Sequence, residues 1–436
     1  MRIVIIQQSQ GGISVSKVME LSRDSLAELK SIRELRVNSD LRERHLYEND
    51  VGELPSIPKA LVGETTPAVI VQPQTEEQII QIVKWSAKYK IPVVPRAAAT
   101  SGYGGVIPVN GGVVIELIHF NRIIDVNKDK NLVTVEPGIV WKDLEFKLQS
   151  EGLAARIVPT SSPGSTVGGW LAQSGAGIGS YQYGWLEENV ESAVMISPDG
   201  SKKILNAGEL SLVSGAMGTT GIITNITLRL RKYENQAVFG IEAGTAAVVQ
   251  EILDQVLKSG LPLWHAGFIN PTAAGLKNKI PPKTHHGHPH PRPVLPESFI
   301  MLLACPESVS YDVQNKLKSI VAAAGAKMLL QSLAEHEWEE RFTPMKIKRI
   351  GPSLVPAEVV IPLENISKVF GEMEKMLKPP VLVEATVVKG KEVVLLCLIP
   401  HDVRKFTFNL AFALSLSILK IARNNGGRAY ASGLYL

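Results

Sequence analysis

Apolar residues recur along the chain with two periods, and the alternation between them outlines its elements. Between residues 15 and 36 they fall at Val15, Val18, Leu21, Leu26, Leu29, Ile32 and Leu35 among charged neighbours, a spacing that predicts an amphipathic leader helix. From Ala68 the pattern reads strand, helix, strand: residues 68–73, a helix opened by Thr75 and running to Tyr89, and residues 91–95. The Thr75 hydroxyl can accept from a helix N–H that has no partner in the first turn, and Glu76 and Glu77 suit the positive helix end. Short strands are expected at 113–117, 123–126 and 132–138, then a helix from Trp141 to Leu148 and a hairpin over 190–205 turning at Pro198-Asp199-Gly200.

After Lys232 the pattern changes. Helices near 246–260, 309–324 and 364–377 alternate with strands near 299–305, 357–363, 381–388 and 392–400, which predicts a second domain with an antiparallel sheet and a boundary near residue 234. A last helix, 403–423, is apolar around much of its circumference; Ser415, Ser417 and its short length favour burial over a membrane-facing role.

Glycine changes this picture most between Pro159 and Asn189. Gly164, Gly168, Gly169, Gly175, Gly177 and Gly179 strip side chains from a backbone that also carries Ser161, Ser162, Ser165 and Thr166. Such a segment can hold a ribityl or pyrophosphate group through main-chain N–H groups and hydroxyls. Two further stretches are of the same kind: the small-residue loop Pro95-Arg96-Ala97-Ala98-Ala99-Thr100-Ser101, and Gly218 to Thr224 ahead of an alternating strand.

Composition narrows the class. At 436 residues the chain suits two domains, and 45% apolar with 20% charged residues reads as globular. With 46 basic against 42 acidic residues it offers no case for nucleic acid. Cys305 and Cys397 alone exclude a disulfide framework and suit a reducing compartment; the N-terminus lacks the apolar core of a secretory signal, and no run is long enough to span a membrane. A cytoplasmic protein, or one peripheral at the membrane, is expected.

The order Pro-Thr-Ser-Ser-Pro-Gly-Ser-Thr-Val-Gly-Gly, then Tyr183-Gly184, then Asn189 before an apolar strand, resembles the flavin-binding half of the vanillyl-alcohol-oxidase superfamily. The chain looks most like its D-lactate dehydrogenase and glycolate oxidase subunit branch, over residues 45 to 436. That resemblance implies an α+β fold class, a two-subdomain PCMH-type FAD-binding domain plus an α/β cap domain with an antiparallel sheet. The implied division is a helical leader (1–44), the FAD-binding domain (45–234), the substrate cap (235–402), and a C-terminal helix and tail returning to the flavin domain (403–436).

The resemblance also implies which residues contact FAD. They are Pro95 through Ser101, then Pro159, Thr160, Gly164, Thr166, Val167, Gly168, Gly169, Ala172, Gly175, Ala176, Tyr183, Gly184 and Asn189, then Gly221, Ile222 and Ile223. Ala97 and Ala99 stand where the family usually has glycine, and their methyl groups resist positive φ. Thr100 stands where flavinylated members carry histidine, so non-covalent FAD is expected.

The metal-binding histidines of part of this branch are missing, with Lys389 and Lys391 around Gly390 instead, so no catalytic metal is expected. The segment 285–290 holds four histidines among Pro and Gly, which points to a surface loop and leaves metal binding open. The implied activity is oxidation of a 2-hydroxy acid such as D-lactate or glycolate, with electrons passed to a quinone, a dye or a redox protein. By position Arg341 holds the substrate carboxylate. The family's catalytic histidine is absent, which leaves Tyr430, His401 and Glu384 as candidate bases. An alcohol, aldose or lactone oxidoreductase, a homodimer, and a non-catalytic FAD-binding subunit of a larger oxidase are also compatible.

Overall fold

The computed structural model describes residues 19–52, 55–282, 284–285, 288–289, 293–351, 353–378, 381–402 and 404–431. Among these the strands form three large sheets and one two-stranded ribbon.

The first sheet runs Arg36–Asn38, Val69–Gln72, Val113–Glu116, Val93–Arg96, with the last three parallel. Parallel neighbours need a crossover, supplied here by the helix Glu76–Tyr89, whose Ile79, Ile82, Val83 and Trp85 are buried on the sheet. Its start is a full capping box: Thr75 Oγ1 accepts from the Gln78 N–H at 3.2 Å, and Gln78 Oε1 accepts from the Thr75 N–H at 3.3 Å. The leader contributes a helix only over Arg23–Ser31, with Leu29 in the same core.

The second sheet is antiparallel, in the order Ile123–Asn127, Leu132–Val135, Ile222–Lys232, Val190–Ile196, Lys202–Asn206, with Leu153–Ala155 also pairing to Ile222–Lys232. The helix Trp141–Ser150 covers it with Trp141, Leu144 and Leu148, all fully buried. These two sheets are the flavin half.

The third sheet has eight antiparallel strands in the order Lys327–Met328, Gln236–Ala243, Phe299–Pro306, His265–Ile269, Leu382–Val388, Glu392–His401, Ser353–Pro362, Arg428–Ala429. Because side chains alternate along a strand, its two faces are chemically distinct. One face sends Val355, Ala357, Val359, Val383, Ala385, Leu395 and Cys397 into a core with the helices Ala246–Ser259, Ser310–Ala323, Ile366–Met376 and Phe408–Asn424. The residues between them point the other way, towards the flavin half.

The C-terminal helix packs on Ser353–Pro362 with Ser415, Ile418, Ile421 and Ala422 buried, while Leu410 and Leu416 are exposed. Among the described residues no helix is long and apolar enough to cross a membrane. The tail strand joins the third sheet through Ser353–Pro362, and Tyr430 reaches the glycine run of the flavin half.

Candidate cofactor and substrate site

A cavity of about 950 Å³ lies between the flavin half and the open face of the third sheet. Its first wall comes from the three small-residue stretches. Pro95 through Ser101 line it, as do Pro159, Thr160, Gly164, Thr166, Gly168, Gly169, Ala172, Ala176, Gly221 and Ile223. The other residues of the flavin motifs lie behind the wall. Val167 and Ile222 are core side chains. Asn189 donates its amide to the carbonyls of Tyr183 and Trp185, at 2.9 Å each, and so holds the turn that includes Gly184, whose φ is 78°.

The glycines of the run do different work. At Gly175 a Cβ would sit 2.0 Å from the Trp170 indole nitrogen, and at Gly168 it would sit 2.3 Å from Pro137 Cβ, so close packing alone requires both. At Gly164 a Cβ would meet nothing closer than Thr100 Cγ2 at 3.5 Å, so this glycine faces free space. Ala99 takes φ 52°, the left-handed conformation that glycine supplies at no cost, so alanine here adopts the backbone turn in spite of its methyl group.

Among the described residues this wall carries the hydroxyls of Thr100, Ser101, Thr160, Ser161, Ser165 and Thr166, one cation, Arg96, and no lining carboxylate. Such donors suit a pyrophosphate, so the residues present fit FAD. Arg96 donates to the Asn49 carbonyl at 2.9 Å and lies 5.2 Å from the Tyr47 ring centre; burial draws its pKa down.

The second wall is the open sheet face with the segment after the helix Gln331–Glu339. Leu354, Pro356, Leu396 and Leu398 make it apolar, and a few polar groups interrupt it. Arg341 lies with its guanidinium 4.4 Å from the ring centres of both Trp338 and Phe342, and donates to the Trp338 carbonyl. Its Nε has no hydrogen-bond partner, and among the described residues no carboxylate forms an ion pair with it. Burial lowers its pKa to about 10.

Lys277 also lines the cavity but is committed elsewhere: its Nζ is 2.6 Å from Glu337 Oε2, and both are largely buried. Glu384 stands beside this pair, its pKa raised by burial and partly restrained by Lys277.

Glu358, on Ser353–Pro362, faces the cavity beside Tyr103 from the flavin half, and burial raises its carboxyl to about 7. Tyr430 also lines the cavity, but its hydroxyl accepts from the Ala176 N–H at 2.9 Å and its ring stacks on Trp185, so it fastens the tail to the glycine run. His401 lies outside the cavity, at the end of its strand, with Nε2 3.0 Å from Thr407 Oγ1. His286 and His290 of the histidine-rich segment lie outside the described residues, as do the side chains of His285 and His288.

Several polar groups of the site carry no motif in the sequence. Glu358 and the Lys277–Glu337 pair are among them. Another is His265, 7% exposed, on a strand that reads as an ordinary apolar segment; its ring lines the cavity and its Nδ1 has no partner. A histidine at an inward position of an otherwise apolar strand, next but one to a glycine, was the available signal.

Residues 67–206 match the family described as an FAD binding domain. The mitochondrial D-lactate dehydrogenase (cytochrome) of Arabidopsis thaliana is 32% identical over 231 residues, 51% of this chain and 39% of that protein, so the match spans less than half of that relative's length. A D-lactate dehydrogenase of Anaerostipes hadrus is 26% identical over 341 residues, 71% of this chain and 68% of that one. The glycolate oxidase subunit GlcD of Bacillus subtilis is 24% identical over 210 residues, 46% of this chain and 45% of that one. Among solved structures, p-cresol methylhydroxylase with substrate bound superposes with a TM-score of 0.77 at 14% identity, covering 94% of this chain and 89% of that one. Alkyldihydroxyacetonephosphate synthase does so with a TM-score of 0.75 at 17% identity, covering 94% and 82%. The two-part flavin half and the antiparallel cap sheet therefore share the fold of these two solved structures, and residues 67–206 carry an FAD binding domain similar in sequence to those of D-lactate dehydrogenases and a glycolate oxidase subunit.

Proposed function

We propose that the chain is an FAD-dependent oxidoreductase that oxidises a 2-hydroxy acid of the D-lactate or glycolate type to the 2-oxo acid and passes the electrons to a quinone, a dye or a redox protein. The observation that carries this reading is Arg341, a half-buried cation that lines the cavity and forms no ion pair with a carboxylate among the described residues. Leaving a guanidinium so placed is costly unless an anion arrives to complete it, and a substrate carboxylate does so bidentately. The relatives named D-lactate dehydrogenase and glycolate oxidase subunit support the same substrate class.

FAD, when bound along the hydroxyl-rich wall, supplies the hydride acceptor. The protein's own part is position and dryness. Arg341 fixes the carboxylate and thereby the neighbouring C2, the apolar sheet face excludes water from that carbon, and Trp338 and Phe342 pack against the guanidinium. Thr100, in place of a histidine that could be flavinylated, supports a non-covalent cofactor.

Arg341→Met tests the reading. It removes charge-assisted hydrogen bonds worth about 1.5–3 kcal/mol, so kcat/KM for the hydroxy acid should fall by roughly ten- to a hundredfold and oxalate binding should weaken in step. Unchanged kinetics and unchanged oxalate binding would remove Arg341 from the substrate site.

A further inference from the structure

Gly267 makes room for something. A Cβ there would come within 3.0 Å of His265 Nε2 and 2.7 Å of the Ala385 carbonyl, so the imidazole of His265 lies folded over the bare backbone of Gly267, on the cavity side of the sheet. The ring centre is 5.6 Å from that of Trp338, which also lies 4.4 Å from the Arg341 guanidinium and 6.3 Å from the Trp264 ring. One tryptophan therefore contacts both the histidine and the arginine. Both carry a buried nitrogen without a hydrogen-bond partner, Nδ1 of His265 and Nε of Arg341. Two unsatisfied polar atoms in one apolar wall are expensive in an isolated protein and sensible in one that completes them with a ligand.

We infer that His265 takes the hydroxyl proton of the substrate, so that Arg341 and His265 form a two-point clamp on the carboxylate and the adjacent hydroxyl of a 2-hydroxy acid. This inference rests on the oxidoreductase reading above. In the reaction the C2 hydrogen leaves with its electron pair to the cofactor, the hydroxyl proton passes to the imidazole, and the C2–O bond becomes the carbonyl of the 2-oxo acid.

Carboxylate and hydroxyl sit on neighbouring carbons, so the base must lie near the arginine. His265 shares the Trp338 ring and the cavity with it. The strand of Glu358 is three strand steps from that of His265, roughly 14 Å at about 4.8 Å per step, and Tyr430 spends its hydroxyl on Ala176. Burial, with Arg341 adding to it, lowers the His265 pKa to about 3 and keeps the ring neutral, the form that can accept a proton. A bound carboxylate cancels the field of Arg341, so the substrate itself makes the imidazole more basic.

The test uses the FAD-loaded protein. His265→Gln keeps the size and polarity of the side chain but cannot take up a proton. It should leave oxalate binding, measured by calorimetry, within a few-fold of wild type while the rate of flavin reduction by the hydroxy acid falls by about 10²–10⁴. In wild-type protein labelled with nitrogen-enriched histidine, oxalate should shift the resonance of a neutral imidazole. His265 is the one histidine lining the cavity among the described residues, so this readout needs no variant. Flavin reduction in H265Q at the wild-type rate, or no histidine resonance that responds to oxalate, would overturn the inference. A large loss in Glu358→Gln with none in H265Q would move the proton to Glu358. Wild-type protein that no 2-hydroxy acid reduces would instead overturn the oxidoreductase reading.

Discussion

The two walls of the cavity solve opposite problems. The flavin wall works by leaving side chains out: Gly164 opens space, Gly168 and Gly175 let backbone and rings close behind it, and hydroxyl-bearing residues line it with no carboxylate among the described residues. The cap wall works by putting a few polar side chains in against an apolar sheet face, and it sorts them by whether the protein completes them. Lys277 has Glu337; Arg341 and His265 each keep a buried nitrogen without a hydrogen-bond partner. The difference teaches that a cofactor held by its backbone leaves a pattern along the chain, whereas a substrate held by single groups leaves its pattern across strands.

The sharpest way to break the contrast within the cap wall is Lys277→Met. It strands Glu337, which is 3% exposed, and should cost about 3–5 kcal/mol in a denaturant melt, with much of the loss recovered in Lys277→Met/Glu337→Gln. Arg341→Met should leave the same melt nearly unchanged. Equal costs for the two single variants would mean that the two cations are not differently employed.

Within the flavin wall the contrast is Gly175 against Gly164. Gly175→Ala drives a methyl into the Trp170 indole and should lower stability by about 2–3 kcal/mol. Gly164→Ala should keep the melting temperature of the FAD-free protein and weaken FAD binding, read by fluorescence titration, because its methyl enters only the space meant for the ligand. Loss of stability in both would assign Gly164 to packing.

A smaller effect concerns Glu358, where the walls meet. Its carboxyl ordinarily titrates at 4.5, and burial raises it to about 7, so between those values the folded protein binds the proton more than the unfolded chain does. Stability of the FAD-free protein should therefore fall as pH rises through that window, and Glu358→Gln should flatten the slope. Tyr103, Tyr430 and Cys397 are the titratable neighbours, and their own pKa values are raised well clear of this window. The smallest effect is expected for Ala99→Gly, which relieves a left-handed alanine and gives back part of that in chain entropy, for a net gain below about 1 kcal/mol.

Legibility in the sequence follows the same division. The crossover helix, its cap at Thr75, the hairpin at Pro198 to Gly200 and the flavin motifs are local, so period, capping and turn residues expose them. What escaped was set by tertiary pairing. The strand Gln236–Ala243 carries Gly240 and Glu242 in its middle and becomes a strand because Phe299–Pro306 pairs with it residue for residue. His265–Ile269 is a five-residue strand held between two longer ones. Several motif glycines proved to face packing rather than the cavity, a distinction of direction that spacing does not record. His401 and Tyr430 follow the same rule: a titratable residue near the chain end says nothing about the strand edge or hydrogen bond it will occupy.

The central claim is that both walls serve one reaction, and anaerobic reduction of the FAD-loaded wild-type protein tests it directly. Added in turn, D-lactate, glycolate and longer 2-hydroxy acids should bleach the visible flavin absorbance, at least one of them stoichiometrically and with formation of the matching 2-oxo acid. A yellow protein that none of them bleaches, or a chain that cannot be loaded with FAD, would contradict the account.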